Sequence, residues 1–339
     1  MILWLFLTLI VLADCENRRT SSCPDLCACS LSVLGMEVVC SQSLLKHFPT
    51  NGLPHNTTRL SIQSTNLSII TTSHLRVVPH LDHLQLYHTN LESIPSDLLR
   101  EVPRLNALDL TGNKLVHLPP NVFSYAPLGS LVLKNNLIET VDADWFLPNS
   151  SLTWLDLSGN RLTTVPSALF QKLPHLQNLD LSHNRLQELQ PDMLNPLHHL
   201  ETVNLAANEL STLKPGTFTN NRRLIQLFLQ ENRIRELPPA LLGSLQYLQL
   251  LLLNQNQLQN LPSGLLGQLG QQEQGGSQVK VILAGNPWVC DAKMEYLWKW
   301  LTFYPQNVFF LEEVTCARPA GLEKRQVASL TENELGLAK

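Results

Sequence analysis

The chain has 339 residues, 44% of them apolar and 15% charged, with a formal charge of −4 at neutral pH. That is enough chain for one large core or two ordinary domains. No stripe of Lys and Arg runs through it, which excludes the electrostatic footprint of a nucleic-acid-binding protein.

The first element is "MILWLFLTLIVLADC", an apolar run of signal-peptide length without a positive start. Ala13 and Cys15 are small enough for a cleavage site, so residues 1–15 are expected to be a removed signal peptide. A run of ~12 apolar residues cannot cross the ~30 Å hydrocarbon core of a bilayer. No later stretch reaches spanning length, and "TENELGLAK" at the end carries no lipid-anchor signal. The expectation is a soluble, exported chain without a membrane anchor.

Residues 16–57 contain Cys23, Cys27, Cys29 and Cys40, and the far end contains Cys290 and Cys316. Six cysteines remain once Cys15 is removed, an even number suited to an oxidising compartment. The alternative, zinc held by Cys23, Cys27 and Cys29, has poor ligand spacing. The expected bonds are Cys23–Cys29, Cys27–Cys40 and Cys290–Cys316.

Residues 58–280 repeat themselves. "LDLTGNKL", "LDLSGNRL" and "LDLSHNRL" share one slot, filled by Thr65, Thr89, Asn113, Asn136, Asn160, Asn184, Asn208, Asn232, Asn256 and Asn286. The steps are 24 residues, with one of 23 and a last of 30. Leucines of an LxxLxL segment point to a common core, and strand alternation turns the intervening residues outward. The asparagine amide satisfies backbone groups where the chain leaves the strand. A second apolar column, Leu75, Leu99, Phe123, Phe146, Phe170, Leu194, Phe218, Leu242 and Leu266, closes the core from the convex side. Pro95, Pro119, Pro166, Pro238 and Pro262 suit turns there and no long helix.

One coil cannot bury its own apolar face, so the coils stack and the open ends need caps. The fold class is an α/β solenoid, a leucine-rich repeat horseshoe with disulfide-bonded N- and C-terminal caps. Ten strand segments at ~4.8 Å give an inner arc of roughly 45–50 Å. The long last step contains "GQQEQGGSQ", residues 270–278, which reads as a solvated loop with a binding loop as the alternative. Residues 281–339 form the C-terminal cap with a short tail. Met294, Leu297, Trp298 and Leu301 there follow the spacing of an amphipathic helix.

The inner face is mostly polar. Its larger apolar residues are Tyr87, Val132, Trp154, Phe228, Leu250 and Leu252. Trp154 stands mid-arc, where the repeat asks for no aromatic, and an aromatic ringed by polar groups is the pattern of a protein-binding anchor. The bland alternative is that it lies flat on its own strand. Asp109, Asp156 and Asp180 lie near it and suit a basic partner, although Asp at that slot also belongs to the coil's own pattern.

No nucleophile elbow, phosphate loop, dinucleotide fingerprint or zinc-protease helix occurs. His80, His83 and His88 are close in sequence but are not expected to converge on a metal, and His198 and His199 read as surface loop. No catalytic residue, metal or cofactor is expected. Asn56, Asn66 and Asn149 begin glycosylation sequons.

The coil "LxxLxLxxNxL" with both caps resembles the extracellular leucine-rich repeat proteins over roughly residues 23 to 320. "GNPWVCD", "YLWKWL" and "TCA", a C-terminal cap with two cysteines, are similar within that class to the leucine-rich alpha-2-glycoprotein family. The four-cysteine N-terminal cap departs from the mammalian members and points to a sister branch, the β-type phospholipase A2 inhibitors of snake plasma. The resemblance implies a secreted plasma glycoprotein that inhibits a secreted, basic phospholipase A2 by steric occlusion in its concavity. It also implies assembly into a homo-oligomer. The alternatives are modulation of growth-factor signalling and a matrix-binding role, which the two-cysteine cap disfavours.

Overall fold

The computed structural model describes residues 23–41, 43–190, 192–267 and 279–337. The proposed signal peptide and the 270–278 loop lie outside the described residues.

A 13-stranded sheet runs the length of the molecule. It begins with an antiparallel hairpin, β1 (Cys27–Ser32) and β2 (Gly35–Cys40). Parallel strands follow, one per coil: β3 (Thr57–Gln63), β4 (His83–Tyr87), β5 (Ala107–Asp109), β6 (Ser130–Val132), β7 (Trp154–Asp156) and β8 (Asn178–Asp180). They continue with β9 (Thr202–Asn204), β10 (Gln226–Phe228), β11 (Leu250–Leu252) and β12 (Lys280–Ile282). β13 (Trp288–Val289) leaves the sheet, and β14 (Val308–Phe309), from the C-terminal cap, closes it beside β12. β15 (Cys316–Arg318) pairs with β13.

The register is without slips from β3 to β12, so each leucine of a strand faces its counterparts above and below. Leu84, Leu108, Leu131, Leu155, Leu179, Leu227 and Leu251 are buried. The convex column from Leu75 to Leu266 is buried opposite them. Between the columns the described residues make turns and short helices, such as α1 (Thr72–Leu75) and α2 (Ser167–Gln171).

The asparagine ladder accounts for the turn off each strand. Asn160 Nδ2 donates to Leu133 O and Leu157 O at 3.0 Å, while its Oδ1 accepts from Ile138 N–H at 3.0 Å. It thereby ties its own coil to the one before, and Asn184, Asn208, Asn232 and Asn256 repeat the arrangement. The residue before each ladder position is left-handed, from Ser64 (φ 53°) to Gly285 (φ 70°). Only Gly112, Gly159 and Gly285 meet that demand without a side chain. The other coils hold Ser, His, Asn, Ala, Glu or Gln there, and stacking on both sides fixes the strained residue.

Disulfides Cys23–Cys29 and Cys27–Cys40 lock the N-terminal hairpin, and Cys290–Cys316 ties β13 to β15. The helix between the last two cysteines differs in detail from the sequence expectation. Met294 ends a 3-10 turn (Ala292–Met294), and α3 (Glu295–Phe303) starts after it. Leu297, Trp300 and Leu301 are its buried residues, whereas Trp298 is only partly buried. Trp298 keeps its indole N–H at the edge, donating to Leu330 O at 2.9 Å, which the tail supplies. That hydrogen bond draws Trp298 away from the centre and leaves the core position to Trp300.

Candidate functional site

The concave sheet face brings the sequence-selected residues into three groups. Trp154 opens β7 with Ser130 on one side and Asn178 on the other. Its neighbours are small or polar, and it remains 46% exposed. Two residues along, Asp156 lies between Val132 and Asp180, and Asp109 is on the far side of Val132. These five residues form one continuous patch across β5 to β8.

Each aspartate is also bound to its own coil. Asp109, Asp156 and Asp180 accept, through Oδ1, the N–H groups of Thr111, Ser158 and Ser182 at 2.8–2.9 Å. Asp180 Oδ2 further accepts from Asn204 Nδ2 at 3.0 Å. In these coils the side chain at this slot caps the turn after the strand, and Asn204 does the same for Ala206 N–H at 3.1 Å, whereas Val132, Phe228 and Leu252 occupy the slot without an acceptor. The negative charge is what the turn does not require. Burial raises the Asp156 carboxyl above the ordinary aspartate range, and Asp180 adds to the rise. Hydrogen bonds from Ser158 and the charge of Lys134 oppose it. A partly desolvated carboxylate of this kind gains from a cation brought against it.

Tyr87 does not join this patch. It lies on β4, three strands from Trp154, with its hydroxyl donating to Gln63 Oε1 and its ring edge-on to His88. Phe228 and Leu252 lie at the other end and belong to a longer apolar row. The register runs Phe228, Leu252, Ile282, Phe309 across β10, β11, β12 and β14, with Leu250 beside Lys280 in the adjacent row. Phe309 is 44% exposed, and the Lys280 ammonium sits 5.7 Å from its ring centroid. Sequence reading missed Ile282 and Phe309. Extending the inner-face rows by one coil reaches Ile282, whereas Phe309 comes from the cap, beyond any repeat.

The histidines near β4 diverge. His80 packs edge-on to His55 at 5.5 Å, His88 packs against Tyr87, and His83 lies by Asp82. Among the described residues no three His, Cys, Asp or Glu side chains come together as a metal site. No helix among them is long and apolar enough to cross a membrane. Asn56, Asn66 and Asn149 are all exposed. The Asn66 amide is already engaged, donating to Ser43 O at 2.9 Å and accepting from Asn90 at 3.2 Å.

The sequence profile of the leucine rich repeat matches four successive windows, residues 55–115, 103–162, 150–210 and 198–258. The chain belongs to the leucine-rich repeat family. None of the curated proteins matches it. Among solved structures it is similar to a chain of the octameric complex of Latrophilin 3, Unc5D and FLRT2, with a TM-score of 0.68 at 24% identity. That match covers 93% of this chain and 100% of the other. Human 5T4, a trophoblast glycoprotein described as Wnt-activated inhibitory factor 1, gives 0.59 at 23% identity, over 94% and 99% of the two chains. A chain of the Drosophila Toll–Spätzle complex gives 0.59 at 18% identity and 88% coverage of this chain. The present chain spans 54% of that one, about half its length. At these identities the likeness establishes a shared repeat fold.

Proposed function

We propose that the chain is an extracellular protein that binds another protein on its concave face and performs no catalysis. The observation that carries this reading is the mid-arc patch: a half-exposed Trp154 with Val132 beside Asp109, Asp156 and Asp180. A large aromatic in polar surroundings, next to carboxylates, suits a partner that presents a basic surface around an apolar socket. Two of the similar structures are chains of protein complexes, which agrees with this use of the fold. The disulfides support an oxidising, extracellular setting.

The sharper reading follows the resemblance to the plasma phospholipase A2 inhibitors. The partner is then a secreted basic phospholipase A2, whose membrane-facing surface is covered by the horseshoe. Plasma is the corresponding compartment, and the three sequons are its glycan acceptors. The test is hydrolysis of anionic phospholipid vesicles by a basic secreted phospholipase A2, titrated with the purified protein. Inhibition that saturates at a fixed stoichiometry is expected. Undiminished hydrolysis at micromolar protein, with no complex by surface plasmon resonance, overturns the phospholipase reading.

A further inference from the structure

The turns that lead into the strands form a second surface, on one lateral edge of the stack. Three residues before each strand this edge presents His80, Arg104, Pro127, Ser151, His175, His199, Arg223 and Tyr247. One residue earlier it presents His198 and Arg222 on the last cationic coils. His175, His198, His199, Arg222 and Arg223 therefore occupy three successive rungs, about 10 Å from first to last at the spacing of parallel strands. The His175 and His199 rings are 6.1 Å apart, and Arg223 Nη1 lies 3.0 Å from His199 Nδ1.

Several arginines elsewhere are neutralised: Arg76 by Glu101, Arg161 by Glu139, Arg233 by Glu209 and Arg325 by Glu334. Arg222 and Arg223 are exposed and make no ion pair among the described residues. Glu201, the carboxylate on the same turns, does not reach either of them within 4.0 Å. A guanidinium only donates, so His199 Nδ1 is the acceptor of the Arg223 bond and Nε2 carries the proton. His199 thus adds an N–H donor to those of the two arginines. The next rung is Tyr247, 63% exposed, which offers a flat ring at the end of the row.

Two unpaired guanidiniums match tetrahedral or planar anions through paired N–H groups. An exposed aromatic in line with them matches the apolar face of a sugar ring. The row is short and crosses the coils instead of following one. We propose that this edge binds a linear sulfated polysaccharide. Arg222 and Arg223 take its sulfates, His198 and His199 donate beside them, and Tyr247 carries a sugar ring. The surface is distinct from the concave face, so this proposal stands independently of the protein-binding reading.

The experiment measures binding of the full exported protein to immobilised heparin oligosaccharides by surface plasmon resonance in 50 mM and 200 mM NaCl. Neutralising two or three anionic groups predicts a loss of roughly tenfold or more in affinity over that salt range. Arg222→Gln with Arg223→Gln should weaken binding by tenfold or more. Arg76→Gln with Arg161→Gln, which removes the same charge from paired sites, should leave it within about twofold. Tyr247→Ala should cost severalfold, because a bare anion would not need the ring. Matching thermal melts establish that the exposed substitutions leave the fold intact. Absence of heparin binding at 50 mM NaCl overturns the proposal, as does equal loss in the two double variants. Competition by inositol hexakisphosphate or phosphatidylserine vesicles as effective as that by free heparin also overturns it, in favour of a generic anion site.

Discussion

Replacing Trp154 by Ala separates a partner anchor from local packing, and the structure sets both magnitudes. Trp154 is 46% exposed, so about half of its surface already rests on the sheet. Fully burying a large apolar side chain contributes ~1.5–3 kcal/mol, and half of that is roughly 1 kcal/mol. In a domain of this size 1 kcal/mol moves the melting temperature by only ~2–4 °C or less. The exposed half is roughly 100 Å², taking a large aromatic as ~200 Å² in all. Covering it with a partner at ~25 cal/mol per Å² contributes about 2.5 kcal/mol, or nearly two orders of magnitude in affinity. Trp154→Ala should therefore leave the melt nearly unchanged and weaken binding of the phospholipase, or of another ligand found by pull-down, by tenfold or more. Calorimetry and surface plasmon resonance on the same preparations measure the two quantities. A clear drop in melting temperature with affinity intact refutes the anchor and assigns Trp154 to its own strand.

Four further outcomes follow. Asn160→Ala leaves the buried Ile138 N–H without its acceptor and removes one of two amide bonds at Leu133 O and at Leu157 O, which keep Asn136 and Asn184, so it should cost ~1–3 kcal/mol in urea unfolding; a loss under about 0.5 kcal/mol would contradict the ladder. The raised Asp156 carboxyl means that the folded chain holds this proton more tightly than the unfolded one, so its ionisation costs stability as pH rises from the ordinary value of 3.8 to the raised one. Asp156→Asn, which keeps an acceptor for Ser158 N–H, should melt higher than the parent at pH 7 and equally below pH 3.8, while Asp156→Lys slows association with a basic partner; an unchanged association rate would leave the aspartates to the coil. Removing the Cys290–Cys316 bond, whose ends are separated by 26 in sequence, should cost about 3.5 kcal/mol by chain entropy, read from the guanidinium midpoint. Titration of the denatured, unreduced exported protein should find no free thiol, since Cys23, Cys27, Cys29, Cys40, Cys290 and Cys316 are all bonded.

The fold was legible because a stack imposes one condition many times. Every coil must place apolar residues at the same two depths and a hydrogen-bonding side chain, threonine in the first two coils and asparagine after them, at the turn, and a 24-residue period satisfies both. The helix of the C-terminal cap was less legible because it is used once. Spacing alone put Trp298 in the core, whereas the carbonyl of Leu330, distant in sequence, holds its indole at the edge and gives the place to Trp300. The strained residue before each asparagine had no signal at all in coils such as those of Ala207 or Glu231, where nothing in the residue type announces a left-handed turn.

The candidate sites divide along the same line. Residues that point inward are fixed by the repeat, so their identity says nothing about a ligand. Residues that point outward are free of the repeat only where the coil leaves them without a task. Asp109, Asp156 and Asp180 each cap a turn, and their geometry would be met as well by asparagine, as at Asn204; what remains unexplained by the coil is the charge. Trp154 has no hydrogen-bonding task of that kind, and neither do Phe228, Leu252, Ile282 and Phe309, the last supplied by a strand that the repeat does not encode. Excess over structural need thus selects a patch in mid-arc and a row at the C-terminal end. A partner that covers both from Trp154 to Phe309 spans β7 to β14, seven sheet positions at ~4.8 Å or roughly 30 Å after six spacings. That reach fits a folded protein domain, or an extended segment of about nine residues at ~3.3 Å each, and is beyond a small molecule.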